Sequence, residues 1–116
     1  MSSSPVSVFA RLMAVIEDRK ANPPPKSYTT SLLQGGVAKI GGKILEEAAE
    51  VVEAASESEA AGRAHLVYEA GDLLYHLFVL LAHRDIPLEE IETELARRFG
   101  VSGLAEKEGR QGLKSD

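Results

Sequence analysis

Two carboxylate pairs share one spacing in this 116-residue chain, Glu47-x-x-Glu50 and Glu69-x-x-Asp72. Side chains three apart share a helix face, so each pair sets two negative charges side by side, which mildly destabilises a helix until a cation joins them. Two such pairs facing each other make a cage of hard oxygen ligands suited to Mg²⁺ or Mn²⁺. A metal that favours water and phosphate oxygens is one used to transfer or hydrolyse phosphoryl groups.

The elements that must position these pairs appear in the apolar periodicity. With about 100° per residue and Ile44 at zero, Val37, Ile40, Ala48, Val51, Val52 and Ala55 form one apolar stripe. Glu46 and Glu53 lie on the opposite, polar side. Glu47 falls only about 20° from the stripe's edge, so partial burial is expected. On the next helix apolar or aromatic residues occupy almost the whole circumference, from Leu66 through Leu81. Its ionisable residues Glu69, Asp72, His76 and His83 crowd within roughly 60° of one another. A helix apolar nearly all round is expected to be buried, so that ionic stripe must be paired or metal-bound. Ordinary surface salt bridges are the competing account of any single glutamate.

The length suits one small domain, near the size where oligomerisation adds stability. No cysteine is present, which excludes disulfides, thiolate sites and zinc ribbons. The N-terminus carries no basic segment before an apolar core, and the run Leu73–Ala82 is too short to span a bilayer. The expectation is a cytoplasmic protein with no membrane partner. A net charge of −5 argues against nucleic acid but not against a phosphorylated small molecule, provided metal ions neutralise both sides.

Along the chain, Ser4-Pro5 reads as a helix cap and first helical position, with Phe9, Leu12, Met13 and Ile16 following at helical spacing. Arg19-Lys20 and then Asn22-Pro23-Pro24-Pro25 end that helix. A loop over Lys26–Ser31 and a short turn through Leu32-Leu33 are expected next. Gly35-Gly36 breaks the chain before a helix over 37–58, and Gly41-Gly42 within it marks a kink, a fray or a partner's close approach. Gly62 separates it from a helix over 63–84. Asp85-Ile86-Pro87 starts a last helix, which Gly100 stops. Residues 1–100 thus read as one all-α domain of four to five helices, and 101–116 as a flexible tail. No strand pattern or repeat occurs.

The run Ser27-Tyr28-Thr29, then Gly36, Lys43-x-x-Glu46-Glu47-Ala48-x-Glu50-Val51 and Glu69-x-x-Asp72-Leu73-Leu74-Tyr75-His76 resembles the phosphoribosyl-ATP pyrophosphatases of histidine biosynthesis. Those enzymes belong to the MazG-like all-α pyrophosphatases, and the resemblance covers about Phe9 to Phe99. The paired spacing is shared by the whole superfamily. The Ser-Tyr-Thr loop and the Tyr75-His76 pair point to the histidine-pathway branch. The resemblance implies a dimeric bundle and Mg²⁺-dependent hydrolysis of 1-(5-phosphoribosyl)-ATP to 1-(5-phosphoribosyl)-AMP and pyrophosphate. It also implies that the cyclohydrolase often fused to this enzyme is a separate chain. In that chemistry Glu47, Glu50, Glu69 and Asp72 hold the metal, and Glu47 or Glu46 accepts a proton from the attacking water.

Other side chains have two readings each. Lys43 contacts a phosphate or simply pairs with Glu47 one turn on. His76 orients Asp72 through a hydrogen bond or is a satisfied core histidine. His83 reads as a helix C-terminal cation and His65 as a surface residue. Ser27, Tyr28 and Thr29 bind substrate or make a turn and cap, with Arg19 and Lys26 adding positive charge beside them. Lys107, Arg110 and Lys114 close over a polyphosphate or lie in a solvated tail. The main alternative is a housecleaning pyrophosphatase acting on dUTP, dCTP or damaged nucleotides. A homodimer whose buried carboxylates only specify pairing is a second class. A di-iron bundle fits poorly, because the Glu-x-x-His spacing is missing.

Overall fold

A computed structural model describes residues 7–99, and every regular element among them is helical. Helix α1 spans Val8–Ala21, α2 Tyr28–Ala55, α3 Ala60–His83 and α4 Leu88–Phe99. The chain divides into two compact units after Ile86, so α1–α3 form one and α4 lies in the other. The proposed Ser4-Pro5 start and the tail fall outside the described residues.

The first helix begins at Val8, capped by Ser7, whose hydroxyl accepts a hydrogen bond from the Ala10 N–H at 3.1 Å. Met13 and Ile16 turn inward, and the Phe9 ring meets Phe78 edge-on at 6.0 Å. Lys20 reaches across the bundle. Its ammonium donates to the Ala82 and His83 carbonyls at 3.0 and 3.1 Å and to the Asp85 carboxylate at 2.7 Å. The last turn of α3 leaves carbonyls without helical donors, and a cation is favoured there.

The second helix departs from the sequence expectation. It starts at Tyr28 instead of after the glycines, because Ser27 caps it by accepting from the Thr30 N–H at 3.2 Å. The loop through Ser31 and the separate turn at Leu32-Leu33 are therefore helix. The break comes at Gly36 alone, where φ 71° and ψ −165° kink the chain between two helical segments. Glycine adopts this left-handed conformation without the Cβ clash other residues suffer. Leu32 before the kink and Ile40 after it are both fully buried, so the kink holds both segments on one core. The helix ends at Ala55, three residues early, and Gly62 lies inside α3 instead of preceding it. Gly41 and Gly42 cause no break.

Residues 56–59 join α2 to α3 as a short helical hairpin, and this pair packs most extensively, with α1 laid across it. Ile16, Leu32, Ile40 and Val79 are fully buried, each stabilising the fold by about 1.5–3 kcal/mol. The expectation that α3 is buried all round is corrected, because Val67 and Tyr68 are each 67% exposed. In α4, Glu94 pairs with Arg97 and Arg98 at 2.9 Å, and their hydrogen bonds first, then their charges, lower its carboxyl to about 2.

Candidate functional site

The hairpin brings the two carboxylate helices side by side. Glu47, Glu50 and Glu69 each offer an oxygen, and these atoms lie within 4.8 Å of one another. Asp72 stands one turn beyond Glu69 on α3, outside that close trio, yet near enough for its charge to act on Glu47. Glu47 is deeply buried at 5% exposure, more than its angular position suggested. Three acidic groups this close cannot all ionise cheaply. Burial first, then the hydrogen bond and charge of Glu50, then the charges of Asp72 and Glu69, push the Glu47 carboxyl up to about 7. Burial and Glu50 also raise Glu69.

One oxygen of Glu47, Oε2, is buried with no hydrogen-bond partner. A buried orphan acceptor is costly. Among carboxylates that also repel, it is the feature a divalent cation would relieve. Hard oxygen donors in this number suit Mg²⁺ or Mn²⁺. Around the cluster, Lys43 approaches Glu46 at 3.5 Å and Glu47 at 4.0 Å, and the charge of Glu46 raises its pKa. Glu46 itself is exposed.

His65 was missed. Its ring lies 3.1 Å from Glu57 and 3.3 Å from Glu69, linking a cluster carboxylate to the α2–α3 connection. The hydrogen bond that its ring donates to the Glu57 carboxylate is the main cause that raises its pKa. The i,i+4 spacing of His65 and Glu69 is the signal that could have found it.

His76 is the pivot of a second group, and its partner differs from the one expected. Nδ1 lies 2.8 Å from the Asp72 backbone carbonyl, not its carboxylate. A carbonyl only accepts, so Nδ1 carries a proton, and Nε2 hydrogen-bonds the Tyr28 hydroxyl at 3.0 Å. Tyr28 stacks on Tyr75 with ring centres 6.2 Å apart, and Thr29 hydrogen-bonds the Tyr75 hydroxyl. Partial burial raises the Tyr28 pKa most, against the lowering charge of Lys43. The Ser-Tyr-Thr run thus has internal duties throughout: Ser27 caps α2, Tyr28 holds His76 and Thr29 holds Tyr75. Nothing in sequence spacing reveals the last two contacts, which join residues 48 and 46 positions apart.

The outlying candidates lie elsewhere. Lys26 is exposed at φ 61° before the cap. Arg19 lines a cleft with His83, at the far end of α3 from the carboxylates. His83 is the basic residue in the last turn of α3, as expected; its Nδ1 is buried without a partner, and Lys20 binds the carbonyls of that helix end.

A family model described as phosphoribosyl-ATP pyrophosphohydrolase matches residues 9–99. The chain belongs to that family. Proteins named phosphoribosyl-ATP pyrophosphatase are similar over nearly its whole length. One from Rhodopirellula baltica is 55% identical over 90% of this chain and 87% of its own. One from Geotalea daltonii is 51% identical over 89% and 94%, and one from Rhodobacter capsulatus 47% over 90% and 99%. The phosphoribosyl-ATP pyrophosphohydrolase family therefore accounts for all four described helices. None of these helices is long and apolar enough to cross a membrane.

Proposed function

We propose that this protein hydrolyses phosphoribosyl-ATP to phosphoribosyl-AMP and pyrophosphate in the cytoplasm, as a step of histidine biosynthesis, with Mg²⁺ held by Glu47, Glu50, Glu69 and Asp72. The observation that carries this reading is the buried carboxylate cluster with the orphaned Glu47 oxygen, in a chain of this family. The bound cation would neutralise phosphate oxygens and acidify water. Glu47, buried beside the cation it would share, suits the role of acceptor for the proton of the attacking water. Glu46 is the neighbouring alternative, engaged with Lys43. His65 steadies Glu69, and the Tyr28–His76–Asp72 chain fixes the backbone that carries Asp72. Lys43, beside the cluster, supplies positive charge toward the polyphosphate.

The same reading makes the protein a homodimer. Leu45 and Val52, seven residues apart on α2, are 75% and 71% exposed, and Val67 and Leu74 repeat that spacing on α3. Apolar residues at heptad spacing on two adjacent helices form a face that a second copy would cover. Sedimentation at micromolar concentration is expected to give a dimer, and a stable monomer would reject it.

The activity is tested by pyrophosphate release with Mg²⁺ from phosphoribosyl-ATP set against dUTP, dCTP and the other deoxynucleotides. Higher kcat/KM for any deoxynucleotide would move the protein to the housecleaning branch. Replacing any one of the four carboxylates by alanine is expected to lower turnover by orders of magnitude with helicity intact. Near wild-type activity in two of those variants would sink the metal assignment.

A further inference from the structure

At the end of α3 remote from the carboxylates, α1, α2 and α3 enclose a cleft of about 350 Å³. Its polar lining is Arg19, Lys20, Thr30, Gln34 and His83, with no acidic residue among the lining side chains. Two of these groups are unsatisfied. Thr30 is only 8% exposed and its Oγ1 has no partner, and His83 Nδ1 is likewise buried and unpartnered. Folding two orphan polar groups into one wall is costly unless something binds there. Among the described residues Arg19 forms an ion pair with Asp18 alone, at 3.5 Å in an exposed pair worth little, so its guanidinium can turn to an anion. Lys20 is fixed at the cleft by three acceptors.

The cleft also has a fixed relation to the carboxylates. Asp72, His76 and His83 lie within about 40° of one another around α3, and His83 is about 16 Å beyond Asp72 along its axis. Tyr28 and Tyr75 stand between the two ends, at the level of His76. Phosphoribosyl-ATP has the same order of parts. Its triphosphate and its second phosphate, a monoester, are separated by ribose, adenine and ribose, a span of the same order as the helix segment.

We propose that the cleft formed by Arg19, Lys20, Thr30, Gln34 and His83 binds a phosphate monoester, namely the 5′-phosphate of the substrate's phosphoribosyl arm. The identity of that substrate rests on the function proposed above; the anion site itself does not. Guanidinium, hydroxyl, amide and imidazole supply donors to several phosphate oxygens at once, while the Lys20 ammonium, its three N–H groups engaged, adds only charge. This is the group that sets phosphoribosyl-ATP apart from ATP, so the cleft is where specificity would reside.

Thr30→Val and Arg19→Gln test it. Valine removes a hydroxyl that has no partner inside the protein, so Thr30→Val should keep or raise thermal stability. Each variant is expected to raise KM for phosphoribosyl-ATP roughly ten- to a hundredfold while leaving the inhibition constant of ATP, which lacks the arm, unchanged. An unchanged KM, or equal weakening of both ligands, overturns the site while the enzymatic reading stands. If the wild-type protein turns out not to hydrolyse phosphoribosyl-ATP, amide NMR with ribose 5-phosphate and no metal decides instead. Saturable shifts at Thr30, Gln34 and His83 that Arg19→Gln abolishes would keep the anion site, and their absence would overturn it.

Discussion

Glu47→Gln should make the metal-free protein more stable and inactive at once. The Glu47 carboxyl holds its proton up to about pH 7 in the fold, against an ordinary value of 4.5. A raised acid pKa means that the unfolded chain loses its proton first. Between pH 4.5 and 7 the folded state therefore binds more protons, and stability falls as pH rises through that window. Below 4.5 both states are protonated and nothing is lost. Above 7 both are ionised and the whole penalty is present. The shift of 2.5 pH units corresponds to about 3 kcal/mol. Glu50 and Asp72 are partly open to water, which screens their share, so about 1–2 kcal/mol is the working figure.

Glutamine keeps the shape and removes the charge. At pH 8 in EDTA, Glu47→Gln should exceed wild type by about 1–2 kcal/mol, roughly 4–12 °C in Tm for a domain of this size. At pH 4 the difference should vanish. Saturating Mg²⁺ should reverse the order, because a ligand that binds only the folded state stabilises it by mass action and the variant has lost a ligand oxygen. Thermal melts of both proteins across pH, with and without Mg²⁺, read all of this. A variant no more stable than wild type at pH 8 in EDTA, or a gain that does not change with pH, would refute the picture of strained, like-charged ligands awaiting a cation.

Three further outcomes follow from the local geometry. Ser27→Ala removes the α2 cap and should cost about 1 kcal/mol in urea unfolding, whereas Ser27→Gly should cost only a few tenths; equal effects would mean that the hydroxyl bond to Thr30 contributes nothing. Gly36→Ala should destabilise by about 1–2 kcal/mol from its positive φ alone, since the new Cβ would meet only His83 Nε2 at an ordinary 3.8 Å, while Gly42→Ala, with open space around it, should stabilise by about 0.5–1 kcal/mol. His65 should titrate above 6.5 by NMR, so its contribution is full below pH 6.5 and lost as pH rises through the folded value, and Glu57→Gln should bring its pKa down; a pKa unmoved by that change would remove Glu57 as the main cause.

The carboxylates were legible because helical periodicity is a property of the chain alone. Angular position put Glu47 at an apolar edge, and packing of the α2–α3 hairpin deepens the partial burial expected there to 5% exposure. The glycines were legible only in part. Gly35-Gly36 marks a disturbance in any sequence, but whether a glycine ends a helix or kinks it depends on whether both flanks find the same core, and Leu32 and Ile40 do. That is a tertiary fact. So too is the fate of the Ser-Tyr-Thr run: hydroxyls beside a proposed site suggest ligand binding, yet here they cap α2 and anchor His76 and Tyr75 across the hairpin. Thr30 carried no signal in the sequence and His83 read as a helix C-terminal cation, yet a polar atom of each is buried without a protein partner. A polar side chain that folding satisfies contributes to the scaffold, and one that folding buries unsatisfied is held for something else. By that criterion the proposed specificity site lies one residue past Thr29, on the next position of the same helical turn.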